Sequence, residues 1–289
     1  MNASQKPAPS MDEGQAKLNP LEAQLEAQPV EMAAALSPTD NCTANPTDNS
    51  TANPTTSPTE FVDEFLARLR SESQKNQLQL VQDIASKGDL GLQALMAWLQ
   101  ERQASPATVV EGKVHQLLLA SESPIILKFL QAHVPQGVVE LRSPAGVDYA
   151  PLAELLARQA YEEGDRLTLA KLCELAGESA TKRGWIYFTE VERIDPEDLR
   201  TLDRLWKVYS EGKFGYSVQR ELWLGSGKNW ETLWPKLNWK AGNTWTRYPK
   251  EFVWDLSAPK GHLPLSNQLR GVRVISALLT HPAWTNPAP

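Results

Sequence analysis

The stretch "DPEDLRTLDRLWKVYSEG", residues 195–212, decides the fold class. Asp195 is a helix N-cap residue, Pro196 suits the first helical position, and Glu197 and Asp198 suit the positive end of the helix dipole. Leu199, Leu202, Leu205, Trp206 and Tyr209 then fall on one side, and Gly212 is a stop signal. The same helical period recurs from Phe61 onward, and no alternating strand series is convincing anywhere. The chain is therefore expected to be all-α.

Upstream, "EFVDEFLARLR" puts Phe61, Phe65, Leu66 and Leu69 on one stripe. "KNQLQLVQDIASKGDLGLQALMAWLQERQ" reads as two helices divided at Gly88, and "GKVHQLLLA" with "SPIILKFLQAHV" as a further pair. Short amphipathic helices joined by Gly, Ser or Pro turns predict a small helical bundle over residues 59–135. The Pro- and Gly-containing stretch 136–150 is the natural linker, and residues 151–289 form a second all-α domain. There "LAELLARQAYEEGDRLTLAKLCELAG" is expected to be a helical hairpin, turning at Gly164 with Asp165 as N-cap. Residues 1–58 read as a disordered tail, with eight prolines and the repeat "DNCTANPT"/"DNSTANPT".

The 289 residues carry 41% apolar and 22% charged side chains, and no apolar run reaches the ~18 residues of a membrane span. The first residues lack the apolar core of a secretory signal and the arginines of a transit peptide, so a cytoplasmic location is expected. Without secretion, the sequons at Asn41 and Asn49 carry no meaning. Two cysteines, Cys42 in the tail and Cys173 in an apolar run, exclude a metal framework built on cysteine. His115 and His133 have no second ligand at metal spacing. "GSGKN" at 225–229 lacks the first glycine and the Ser/Thr of a phosphate loop. His262 and Ser266 have no acid placed to complete a triad. Catalysis has no address in the sequence.

Charge and rings are distributed unevenly. The net charge is −6, yet residues 220–289 hold nine Lys/Arg against four Asp/Glu, and nine of ten tryptophans lie from Trp185 onward. Both features meet in "NTWTRYPKEFVWDLSAPKGHLPLSNQLRGVR", residues 243–273. A helix starting near Pro264 would align Asn267, Arg270 and Arg273 on one flank, with Leu265, Leu269, Val272 and Leu279 toward the core. The preceding loop carries Trp245, Tyr248, Phe252 and Trp254. Three explanations compete: core rings beside a solvated cationic face, single-stranded nucleic acid stacked on aromatics, and a planar carboxylated ligand such as a tetrapyrrole.

Residues 185–284 resemble the genomes-uncoupled-four family of porphyrin-binding proteins. The resemblance rests on "WIYFTEVER", "DLRTLDRLWKVYSEGKFGYSVQRELWL", "YPKEFVWDLSAPKGHLPLSNQLRGVRV" and "HPAW". The helices before residue 178 are similar to the additional N-terminal domain of cyanobacterial members. The resemblance implies an all-α domain that binds protoporphyrin IX and magnesium protoporphyrin IX. It also implies a non-catalytic accessory role, stimulating magnesium chelatase together with that enzyme's large porphyrin-binding subunit. By position, Asn267, Arg270 and Arg273 match polar helix residues of the family's site, and Tyr248 and Phe252 match ring-bearing loop positions. With Trp245, Trp254 and Leu265 nearby, these eight residues are the expected porphyrin contacts. No dedicated metal ligand is expected, because a water-bound magnesium facing Asn267 suffices. A monomer is expected, reaching photosynthetic membranes peripherally through cargo or partner.

Overall fold

The computed structural model describes residues 57–266 and 271–285. The tail to residue 56, with its repeat, sequons and Cys42, lies outside the described residues, as do Asn267 and Arg270.

The all-α expectation holds. The N-terminal bundle comprises α1 (Pro58–Ser71), α2 (Gln74–Ala85), α3 (Asp89–Arg102), α4 (Val109–Ala120) and α5 (Pro124–His133). Then follow α6 (Ala150–Ala157), α7 (Tyr161–Ala176), α8 (Glu178–Arg183), α9 (Phe188–Val191), α10 (Pro196–Val208), α11 (Tyr216–Gly225) and α12 (Trp230–Lys236). A two-residue hairpin, β1 (Lys240–Ala241) and β2 (Thr244–Trp245), precedes α13 (Arg273–Thr280) and a final 3-10 turn, Pro282–Trp284. Reciprocal capping boxes start α1 (Ser57 with Glu60) and α4 (Thr108 with Glu111), each satisfying two otherwise unpaired amides. Asp195 caps α10 by accepting the Glu197 N–H at 2.7 Å.

α10 is enclosed rather than half-buried. Its leucines and Trp206 are fully buried, as the periodicity requires, but no residue of the helix is exposed. The polar side is tied down by hydrogen bonds. Asp198 Oδ1 accepts the hydroxyls of Ser143 (2.5 Å) and Tyr149 (2.7 Å). Thr201 donates to the Arg142 carbonyl at 2.8 Å, and Asp203 accepts the Ser217 N–H at 2.8 Å. The stretch 136–150, read as a linker, is therefore packed: Val139, Val147 and Tyr149 belong to the core around α10.

The same helix joins the two halves. Tyr209 closes α10; its carbonyl accepts Tyr161 Oη–H (2.6 Å) and Gln116 Nε2–H (2.8 Å). Its hydroxyl accepts the Val138 N–H at 3.2 Å and lies 3.0 Å from His115 Nδ1. Burial pushes the His115 imidazole down to about 4, so it is neutral at pH 7. Leu119 and Val138 pack against both the bundle core and the core around α10. The described helices form one unit.

Two sequence expectations are corrected. The α6–α7 turn falls at 158–160, where Gln159 has a positive φ of 58°, and Gly164 and Asp165 lie within α7. Gly164 is a close-packing position: a Cβ there would sit 2.8 Å from Leu156 Cδ2, so that buried side chain would have to shift. Asp165 is no cap; its carboxylate is buried. The second correction concerns the helix placed near Pro264, because α13 begins at Arg273 and residues 261–266 form an irregular strap. The strap's polar backbone groups are taken by tertiary partners instead of helical ones. Gln219 Nε2 donates to the Gly261 (3.0 Å) and Pro264 (2.7 Å) carbonyls. Trp239 Nε1 donates to the His262 carbonyl (2.8 Å), the Gly215 N–H to Leu263 (3.0 Å), and the Leu265 N–H to Asp165 (2.6 Å).

The α4–α10 contact yields a direct check. A Cβ on Gly112 would lie 2.2 Å from the Val208 carbonyl oxygen, a backbone atom that cannot swing aside. Gly112→Ala is therefore expected to lower stability by about 1–3 kcal/mol in denaturant unfolding. Gly225→Ala, also at a helical glycine without positive φ and with no atom within 4 Å of its Cβ, is the control and should change stability far less.

Candidate ligand site

The strap, α7, α9 and α13 surround a cavity of about 270 Å³. Leu169 and Leu172 of α7 form one apolar wall, and Val274 and Leu278 of α13 another. Trp185, Ile186, Tyr187 and Phe188 form the aromatic wall, while Leu265, Ser266 and Arg273 complete the lining. α13 presents this face because Ile275 and Leu279, buried in the core, anchor it.

The aromatic wall is braced by a cation. The Trp185 and Tyr187 rings meet edge-on at 4.5 Å, and the Arg183 guanidinium lies 4.9 and 4.6 Å from their centroids. Arg183 is held in turn by both carboxylate oxygens of Glu190, at 2.9 and 2.7 Å. Tyr187 is nevertheless 48% exposed, an unusual setting for a ring in a packed wall. Arg273 sits with its Cζ 5.5 Å from the Phe188 centroid and is exposed. It has no carboxylate partner among the described residues. Ser266 is buried, and its Oγ has no hydrogen-bond partner among the described residues. A cavity with apolar and aromatic walls and, among the described residues, a cation without a carboxylate partner and an unsatisfied hydroxyl suits a flat apolar body carrying an anionic group.

Of the six expected contacts among the described residues, Leu265 and Arg273 line this cavity. Trp245 packs edge-on against Trp234 at 5.5 Å with Lys240 Nζ 5.3 Å from its ring. Phe252 is 5% exposed and packs 5.4 Å from the His262 ring inside the core. Trp254 donates its indole N–H to the Pro249 carbonyl at 3.0 Å. Tyr248, 49% exposed, meets Trp254 edge-on at 5.9 Å; its hydroxyl senses Asp165, Arg166 and Glu162, so it stands beside the first turns of α7. Asn267 and Arg270 belong to the segment joining Ser266 to Gly271, outside the described residues. His262 serves structure: its Nδ1 lies 2.6 Å from the Leu237 carbonyl and its Nε2 accepts the Val253 N–H.

Trp185, Tyr187 and Phe188 were not among the expected contacts. They sit in a turn leading into a four-residue helix, so no periodicity marks them. The available signal was their density: four apolar residues, three of them aromatic, directly after Arg183-Gly184. Two larger hollows, of about 720 and 630 Å³, flank the 134–139 turn between bundle and core. Neither has an aromatic wall.

A family model described as GUN4-like matches residues 142–282, and one described as an ARM-like repeat domain, GUN4-N terminal, matches residues 54–135. A Ycf53-like protein of Synechocystis sp. is 48% identical over 223 residues, covering 77% of this chain and 96% of its own. The chain belongs to the GUN4-like family. A chloroplastic tetrapyrrole-binding protein of Arabidopsis thaliana is 41% identical over 138 residues, covering 45% of this chain and 52% of its own. The solved structure of GUN4 from Chlamydomonas reinhardtii is 42% identical, with a TM-score of 0.47, covering 50% of this chain and 96% of that one.

The different settings of these residues predict different phenotypes. Phe252→Ala opens the core and is expected to cost about 3–5 kcal/mol of stability. Ser266→Ala removes a hydroxyl without a partner and is expected to leave the melting temperature unchanged or slightly raised. Calorimetry on both variants checks the pair of outcomes.

Proposed function

We propose that the protein binds protoporphyrin IX and magnesium protoporphyrin IX at this cavity, and so stimulates magnesium chelatase without catalysing a reaction itself. The observation that carries the reading is the aromatic-walled cavity with Arg273 at its edge, which has no carboxylate partner among the described residues. The name of the Arabidopsis relative and the membership of the family support it. At about 270 Å³ the cavity is a little smaller than the ~300–1,000 Å³ of sites that enclose drug-sized ligands. The macrocycle would therefore lie with one face and edge covered. Tyr248 and Trp254 would border its outer edge, and Phe252 and Trp245 would support the loop from behind. Asn267, Arg270 and Arg273 would face its polar groups.

Magnitudes favour burial as the source of affinity. Removing ~300 Å² of apolar ligand surface from water is worth about 7 kcal/mol, much of it offset by lost association entropy. An exposed arginine–carboxylate pair adds ~0–1 kcal/mol, and more when bidentate and desolvated. The rings grip, and the arginines orient the propionates. In the magnesium form the cargo brings its own metal, which keeps a water that Asn267 would face.

The partner in this reading is the large porphyrin-binding subunit of the chelatase. The partly open site suits delivery of porphyrin or removal of product. The protein would act as a cytoplasmic monomer and reach photosynthetic membranes through its cargo or that subunit. No described helix is long and apolar enough to cross a membrane.

Tryptophan quenching and absorbance titrations with magnesium deuteroporphyrin, beside a single-stranded oligonucleotide, test the reading. Saturable porphyrin binding without oligonucleotide binding is expected. Phe188→Ala should weaken binding by about tenfold or more, a ~1.4 kcal/mol loss of ring contact. Arg273→Ala should weaken it less, by up to about fivefold, and reduce its salt dependence. Oligonucleotide binding in place of porphyrin binding would overturn the proposal. In chelatase assays, full stimulation by a Phe188→Ala/Arg273→Ala variant would exclude delivery.

A further inference from the structure

Asp165 is a carboxylate that neither the helix pattern nor the ligand reading uses, and it is buried. Its Oδ1 accepts the Leu265 N–H at 2.6 Å, across 100 residues of sequence. The two ends of this bond are the two sides of the cavity. Leu169 and Leu172, one and two turns beyond Asp165 on α7, line it from the helix, and Leu265 with Ser266 from the strap. The other tethers of the strap lead elsewhere: Gln219 and Gly215 belong to α11 and its cap, Lys213 to the turn before it, Leu237 and Trp239 to the segment after α12, and Val253 to the 245–254 loop. Among the described residues, the Asp165–Leu265 bond is the one hydrogen bond joining the strap to α7.

We infer that Asp165 is a positioning residue of this site, its carboxylate clamping the Leu265 amide to α7 and so fixing the spacing of the walls that grip the ligand. The inference rests on the porphyrin reading for what is gripped; the clamp itself stands on the geometry. Among the described residues, the charged or titratable groups facing Asp165 include Arg166 and Glu162 on its own helix and the Tyr216 phenol from α11. Tyr248 senses it from the 245–254 loop. Tyr216 is buried with no hydrogen-bond partner for its hydroxyl among the described residues, and burial raises its ionisation well above the ordinary tyrosine range. Among the described residues no neighbour supplies a buried counter-ion: Arg166 is exposed and pairs with Glu162 and Glu163. Burial pushes the Asp165 carboxyl up to about 7, opposed by the Leu265 hydrogen bond.

An isolated buried carboxylate weakens the fold while it is charged. The folded carboxyl keeps its proton up to about pH 7, whereas the unfolded one loses it near the ordinary aspartate value, so stability falls as pH rises through that window. A group that works against stability at neutral pH, and yet tethers a ligand wall, is what a site held for function predicts.

The test compares wild type with Asp165→Asn, Asp165→Ala and Asp165→Leu, the last filling the space should alanine fail to fold. Amide exchange of the 262–266 peptide reads the clamp, magnesium deuteroporphyrin titration reads the site, and melting at two pH values reads the buried charge. Asn keeps an acceptor, so it should retain slow exchange and bind within about threefold of wild type. Its melting temperature should exceed that of wild type at pH 8, with the gap closing by pH 5.5. Ala and Leu should speed exchange and weaken binding by about tenfold, as for one lost buried hydrogen bond. Wild-type binding by the Ala or Leu variant, or Asn behaving like them, would overturn the clamp. A wild type that binds no porphyrin would defeat the ligand reading, while the exchange readout would still judge the clamp.

Discussion

The Tyr209 carbonyl at the C-terminal end of α10 is a buried acceptor that helical bonding leaves free, and the two halves of the protein meet over it. Gln116 from the bundle and Tyr161 from α7 both donate to it, and the Tyr209 side chain reaches the 135–138 turn and His115. Buried polar groups in a low-dielectric interior must be satisfied, so this junction admits few alternative arrangements. Gly112 reinforces it by letting α4 pack directly against the Val208 backbone. With α10 fixed, Trp206 fixes α7 through the Thr168 hydroxyl, at 3.0 Å. α7 in turn carries one wall of the cavity.

The ligand-facing side is built on the opposite principle. The strap has no regular structure of its own, and buried side chains from α7, α11 and the segment after α12 hold its backbone groups one by one. Such a segment places Leu265, Ser266 and the chain toward Arg273 without the geometric limits of a helix. Among the described residues, the Ser266 hydroxyl at the cavity finds no hydrogen-bond partner and the Arg273 guanidinium no carboxylate. Unsatisfied groups at a cavity wall are the ordinary mark of a binding surface.

Helix periodicity made most of the fold legible. The capping residue of α10, the division at Gly88 and the apolar stripe of α10 all appear in the structure where the sequence pattern puts them. Local patterns failed where tertiary contacts decide. The charged face of α10 resembles a solvated face, yet Asp198, Thr201 and Asp203 are buried against partners far along the chain. Gly164 looked like a turn and is a packing contact. The ring-and-cation segment 243–273 proved to be mixed. Phe252 belongs to the core and Arg273 to the cavity, while the aromatic wall comes from Trp185–Phe188, which follow no helical period. The abundance of tryptophan misleads for a similar reason, because Trp206, Trp234 and Trp239 are fully buried core.

The central claim is that a porphyrin lies between α7, the Trp185–Phe188 wall and α13. The most direct test is a crystal structure of the complex with magnesium deuteroporphyrin. The account predicts ring density over Phe188 and against Leu169 and Leu172, with a carboxylate directed at Arg273. Density stacked on Trp245 and Trp254 instead, or lodged in the hollow between α5 and α6, would contradict it.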